Sequence, residues 1–219
     1  MEANLSSVFR QSGKESIVWE ERKKEMQVMR PIRILVVEDD EDFQHLIIQT
    51  LELEEDLTIV GLCRTREDAV CTALQTQPDI ALMDLSLSRN GMEGVEAARV
   101  IRRQTDAKVL ILSGYEDPEI VIGASRRAFA SGYIMKSQFF MMVPTIQQTM
   151  QGPTPQSHMI RAALMQQLSA AEQCVCRRML GEDVLLRSSE KTIANQQTSI
   201  LKKLGLSSKK ELCHIFSVY

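Results

Sequence analysis

Between residues 31 and 150, short runs of consecutive apolar residues alternate with stretches whose apolar positions recur every three or four residues. The runs Ile32–Val37, Thr58–Leu62, Ile80–Met83, Lys108–Leu112 and Gly132–Met135 predict strands. Phe43–Leu53, Glu67–Gln75, Val95–Arg103 and Glu119–Phe129 predict helices between them, and Gln138–Met150 predicts a last one. Strands that are apolar at nearly every position are covered on both faces, and a repeated β/α order supplies the covering helices. The expected fold of residues 31–150 is α/β, a doubly wound, five-stranded parallel sheet.

Residues 151–157 hold two prolines, one glycine and no large apolar side chain, and read as a linker. Beyond it the pattern is helical, so residues 158–219 are expected to form a second, small all-α domain. Ser157 is expected to cap a helix through Leu168. Ser169 with Glu172 three residues on is a capping box opening Ala170–Leu180, with Gly181 as its stop. Ser189 is placed to cap Glu190–Leu204, which Gly205 ends, and Ser208 to start a helix toward Phe216. Residues 1–30 form an extension, either a charged helix over Glu15–Met29 or a disordered segment, with Met26 and Met29 as alternative starts.

Charge divides along the same boundaries. Residues 1–30 carry +1, residues 31–150 carry −8 and residues 151–219 carry +4. An acidic block can hold a cation and a basic one can approach phosphates. No apolar run approaches the ~18 residues that span a bilayer. The N-terminus has no apolar signal core, so a cytoplasmic protein without membrane contact is expected. The five cysteines include no C-x-x-C pair, which argues against a zinc site or a disulfide framework.

Ligands of open α/β sheets bind beyond the carboxyl ends of the strands. There the sequence places Glu38, Asp39 and Asp40 after the first strand, Asp84 after the third, Ser113 after the fourth and Lys136 after the fifth. Crowded carboxylates need a neutralising cation, and hard oxygen donors in small number suit Mg²⁺. An ionised Asp can attack phosphorus, while a lysine and a hydroxyl beside it would hold the other phosphoryl oxygens. An enzyme hydrolysing phosphate compounds with the same cluster is disfavoured, because no separate substrate-pocket motif accompanies it.

The segments Ile34-Leu-Val-Val-Glu-Asp39, Ile80-Ala-Leu-Met-Asp-Leu-Ser86, Val109-Leu-Ile-Leu-Ser-Gly114 and Gly132-Tyr-Ile-Met-Lys-Ser137 resemble the receiver domain of two-component response regulators. The resemblance implies that Asp84 takes a phosphoryl group from a sensor histidine kinase. It implies Mg²⁺ on Glu38, Asp39, Asp84 and the backbone carbonyl of Ser86, with Ser113 and Lys136 on the phosphoryl group and Tyr133 as the switching aromatic. Such a protein is a phosphoacceptor that catalyses its own phosphorylation and dephosphorylation, not a turnover enzyme. The sequence departs from the family after Asp84, where Ser88 replaces the usual proline and the loop to Gly94 is longer.

The tail resembles the helix-turn-helix domain of NarL/LuxR-type regulators. Leu168-Ser-Ala-Ala-Glu172 looks like the start of its first helix. Ser189-Glu-Lys-Thr-Ile193 with Ile200-Leu-Lys-Lys-Leu-Gly-Leu206 looks like its recognition helix. The resemblance implies transcription regulation, contacts to double-stranded DNA through Lys191, Thr192, Asn195, Gln196, Lys202 and Lys203, and a homodimer when phosphorylated. Arg187, Lys209 and Lys210 add to the cationic surface. Only Glu182–Arg187 lies between Gly181 and Ser188, barely more than one helical turn where the family has a supporting helix. The alternative expectation is a receiver whose shortened tail binds protein or dimerises without DNA.

Overall fold

The structure, a computed structural model, describes residues 30–87, 91–186 and 188–217. The expectations for residues 1–29, for Ser88 and for Arg187 lie outside them. Five strands form one parallel sheet in the order β2-β1-β3-β4-β5. They are β1 (Ile32–Val37), β2 (Leu57–Cys63), β3 (Ile80–Met83), β4 (Lys108–Ser113) and β5 (Gly132–Met135). The alternating helices are α1 (Glu41–Leu51), α2 (Arg66–Thr76), α3 (Glu93–Gln104), α4 (Pro118–Ala128) and α5 (Met142–Gln151). A 3-10 segment, Lys136–Met141, precedes α5.

Side chains alternate across a strand, so each continuous apolar run feeds two cores. Ile34, Val36, Ile80, Leu82, Leu110 and Leu112 join Ile47 and Leu51 of α1 and Met142 and Ile146 of α5. Leu35, Val37, Ala81, Met83, Val109 and Ile111 join Ala69 and Ala73 of α2, Val95, Ala98 and Ile101 of α3, and Ala124 and Ala128 of α4. The loops entering α1, α2 and α4 end in Asp40, Thr65 and Asp117, whose side chains accept the first free helix N–H groups.

Four more helices follow: α6 (Pro155–Met165), α7 (Ala170–Met179), α8 (Glu190–Leu204) and α9 (Lys209–Phe216). The capping box of Ser169 and Glu172, the Ser189 and Ser208 caps and the left-handed Gly205 stop all stand as the sequence reading had them. The segment before them differs. Helix α6 starts within the expected linker, because Thr154 accepts from Ser157 N–H, the Ser157 hydroxyl accepts from Thr154 N–H, and Pro155 has the preset φ of a first helical residue. Ser157 is therefore the third residue of the helix rather than its cap. The break between α5 and α6 shrinks to residues 152–154. The described residues from Ile32 onward form one compact unit, and the larger core runs from the sheet through Ile160, Leu164, Val175, Ile200, Leu204, Leu212 and Ile215.

Candidate functional site

The loop after β1 brings Glu38 to the sheet edge almost fully buried, with Asp39 exposed beside it. The Gln44 amide in α1 donates to the carbonyls of Glu38 (3.1 Å) and Cys63 (3.4 Å), fixing this loop from below. Asp84 leaves β3 buried, and one carboxylate oxygen from each of Glu38, Asp39 and Asp84 falls within 4.8 Å of the others. Lys136 leaves β5 and reaches Glu38 Oε2 at 2.7 Å and Asp84 Oδ2 at 3.2 Å. Its ammonium also stands 4.3 Å from the centroid of the Phe43 ring, which makes an edge contact with Phe139. Ser113 is buried at the end of β4. The sequence reading thus placed five groups that the fold brings to one edge; it missed Phe43, Gln44 and Gly94.

Burial, opposed by the bond from Lys136, raises the Glu38 carboxyl from 4.5 to about 7, with the Asp84 charge adding to the rise. Burial works against the Lys136 ammonium too. The bond to Glu38 and the charges of Asp84 and Glu38 outweigh it, and its pKa stands above the ordinary value. Three clustered carboxylates, two of them paired to one lysine, form an acidic group that suits a small hard cation. Ser86, half-buried two residues beyond Asp84, lies on the loop leaving the same strand.

Tyr133 is half-buried on β5, and its hydroxyl donates to the Tyr115 carbonyl at 2.8 Å. Burial pushes its phenol pKa up, and a hydrogen bond with Ser113 opposes the rise. The Tyr133 amide, on the free edge of β5, donates to the side-chain carbonyl of Gln156 in α6 at 2.8 Å. Tyr133 thus joins the loop that follows β4 to the helix that opens the tail.

In the tail, Lys191, Asn195, Thr198 and Lys202 form an exposed stripe along α8, opposite buried Ile200 and Leu204. Thr192 is exposed beside the Ser189 cap. Two assigned residues depart from that surface. Lys203 donates to Glu172 Oε2 at 2.6 Å, tying α8 to the start of α7. Gln196 is half-buried, with its amide oxygen enclosed. The Lys203 bond, the Ser169 amide and Ser199 hold the Glu172 carboxyl down at about 2. Among the described residues from 180 to 189 there is no helix, so the supporting helix of the family motif is missing.

Residues 34–141 match the response regulator receiver domain family. The transcriptional regulatory protein LiaR of Bacillus subtilis (strain 168) is 31% identical over 107 residues, 48% of this chain and 49% of LiaR. The chain spans about half the length of the first relatives it matches. A longer alignment joins it to the uncharacterized transcriptional regulatory protein YvfU of the same organism, at 27% identity over 195 residues, 84% of this chain and 96% of YvfU. The solved response regulator RcsB of Salmonella typhimurium superposes with a TM-score of 0.52 at 22% identity, over 86% of this chain and 98% of that one, a likeness of fold. No helix among the described residues is long and apolar enough to cross a membrane. Residues 34–141 are thus similar to response regulator receiver domains, and the chain continues past them into a helical tail.

Proposed function

We propose that this chain is a phosphorylation-activated transcription regulator of a two-component system. Asp84 accepts a phosphoryl group from a sensor histidine kinase, and the tail carries the output to double-stranded DNA. The observation that carries the first half is the convergence of the Glu38, Asp39 and Asp84 carboxylates within 4.8 Å of one another at one sheet edge, with Lys136 paired to Glu38 and Asp84. The exposed stripe on α8 and the tail's charge of +4 support the second. Being a phosphoacceptor rather than a turnover enzyme, the protein acts in the cytoplasm and pairs with a second copy when phosphorylated.

In the transfer, an Asp84 carboxylate oxygen attacks phosphorus, the phosphorus–nitrogen bond of the donor histidine breaks, and its electron pair returns to the imidazole. The product is an acyl phosphate. Lys136 already touches Asp84 and is placed to offset charge on the incoming phosphoryl oxygens. Buried Ser113 is placed to donate its hydroxyl to another of them. Glu38, Asp39, Asp84 and the Ser86 carbonyl are the groups that would hold Mg²⁺. Bound there, the ion would neutralise charge shared by the carboxylates and the phosphoryl group. Tyr133, linked to Ser113 and to Gln156 of α6, is placed to pass a change at the site to the tail.

Intact mass after incubation with a small phosphodonor and Mg²⁺ tests the first half. The wild type should gain one phosphoryl group and Asp84→Asn none; equal labelling would refute the assignment. Selection of phosphorylated protein against random duplexes tests the second, and no enriched sequence would remove the DNA-reading role.

A further inference from the structure

With no helix described between α7 and α8, the ends of α8 and α9 are held instead by side chains of α3. A helix C-terminus presents carbonyls without intrahelical partners and a partial negative charge. Arg99 Nη2 donates to the carbonyls of Leu204 (2.8 Å) and Gly205 (2.9 Å), which end α8. Its Nη1 donates to Arg127 at the end of α4 (2.7 Å), and the guanidinium stands 4.4 Å from the Phe129 ring centroid. Fully buried Arg102 donates to the Ile215 carbonyl in the last turn of α9 (3.1 Å). Arg103 pairs with Glu211, and His214 Nε2 lies 3.1 Å from both the Arg102 and Thr105 carbonyls. Buried Ala98 and Ile101 of α3 belong to the same continuous apolar core as Ile200, Leu204 and Ile215 of the tail.

In this arrangement Ile200 and Leu204 are buried and Lys191, Asn195, Thr198 and Lys202 remain open. A receiver that masked its output surface would cover the opposite side of α8.

We infer that Arg99 and Arg102 are positioning residues for the DNA-facing helix: the receiver's α3 braces α8 in place of the missing helix, and the tail meets duplex DNA while still docked. The inference rests on the DNA-reading role proposed above. It assigns the arginines a part in presenting the stripe, where a restraining latch would have to open first.

The two roles give opposite signs in one experiment on the full-length protein. Arg99→Ala and Arg99→Lys are compared with wild type by amide hydrogen exchange and by titration with a duplex selected by the wild type. Bracing predicts that Arg99→Ala speeds exchange in α8 and α9 and leaves the sheet amides unchanged. It also predicts an affinity loss of about tenfold, since hydrogen bonds to a charged group are removed, with partial recovery in Arg99→Lys. The salt slope should stay as in wild type, because no phosphate contact is lost. Tighter binding by Arg99→Ala, or unchanged exchange in α8, would overturn the inference. Should Arg99→Ala not fold, Arg103→Ala, which removes only the pair with Glu211, gives the same comparison. If the wild type selects no duplex, the DNA reading fails while the exchange measurement still decides the brace.

Discussion

A β-carbon on Gly94 would stand 1.8 Å from the backbone oxygen of Asp84. The first turn of α3 therefore rests directly on the residue that follows β3, and the Gly94 amide donates to the next carbonyl, Leu85, at 3.2 Å. Backbone cannot give way as a flexible side chain can. Gly94→Ala should push α3 off the strand end, costing about 1–3 kcal/mol as overpacking does, and should slow phosphorylation of Asp84. Urea unfolding and a phosphodonor time course measure the two effects. A midpoint and rate equal to wild type would show that α3 shifts freely.

Glu38 sets a pH dependence in metal-free buffer. Its carboxyl titrates at about 7 in the folded chain and at 4.5 ordinarily, so the folded state holds this proton more tightly. The stability from this group is full below 4.5, declines as pH rises toward 7 and is gone above it. Mg²⁺ competes with the same proton, so its stabilising effect should grow from about pH 6 to about pH 8. Thermal melts with and without Mg²⁺ across this range should show the trend, and Glu38→Gln should flatten the metal-free slope. A Mg²⁺ effect independent of pH would count against Glu38 as a ligand.

The opposite sign applies at Glu172. Its carboxyl is held at about 2, below the ordinary 4.5, first by the Lys203 bond. Its contribution is present above 4.5 and is lost as pH falls toward 2. Glu172→Gln should lower the melting temperature at neutral pH, and the gap from wild type should close on acidification. A gap that widened in acid would mean the Lys203 contact does not form.

Adjacent lysines on α8 should separate presentation from support. Lys202 is exposed on the outward stripe, and Lys203 is paired with Glu172. Lys202→Ala should reduce the salt slope of DNA binding by about one unit with little change in stability. Lys203→Ala should loosen the joint between α7 and α8 and leave that slope nearly unchanged. Equal slopes for both variants would place neither lysine at a phosphate.

Local signals made the receiver legible. Four of the five strands, β2 excepted, are short apolar runs closed by a carboxylate, a hydroxyl or a lysine, so the pattern that marked the strand also marked the site. Serine caps and Gly205 bounded α7, α8 and α9 equally well. What escaped depends on distance in the chain. Phe43 beneath Lys136 and Gly94 against Asp84 are ordinary residues until the fold joins them. Gln151–Ser157 has a linker's composition, yet Thr154 and Pro155 together are a helix start. Lys203 looks like any exposed lysine of a basic helix, because the Glu172 that claims it lies 31 residues earlier.

The arginine seam has a consequence for how the chain is made. Arg99 and Arg102 precede their partners Leu204 and Ile215 by 105 and 113 residues. During synthesis the sheet and α3 can assemble while the residues that will cover Ala98 and Ile101 are still untranslated. The half-made protein thus presents an apolar strip flanked by guanidinium groups, a surface open to chaperones and to stray association. The last helices to emerge close it, so truncation near the C-terminus would expose the receiver's own flank along with removing the output.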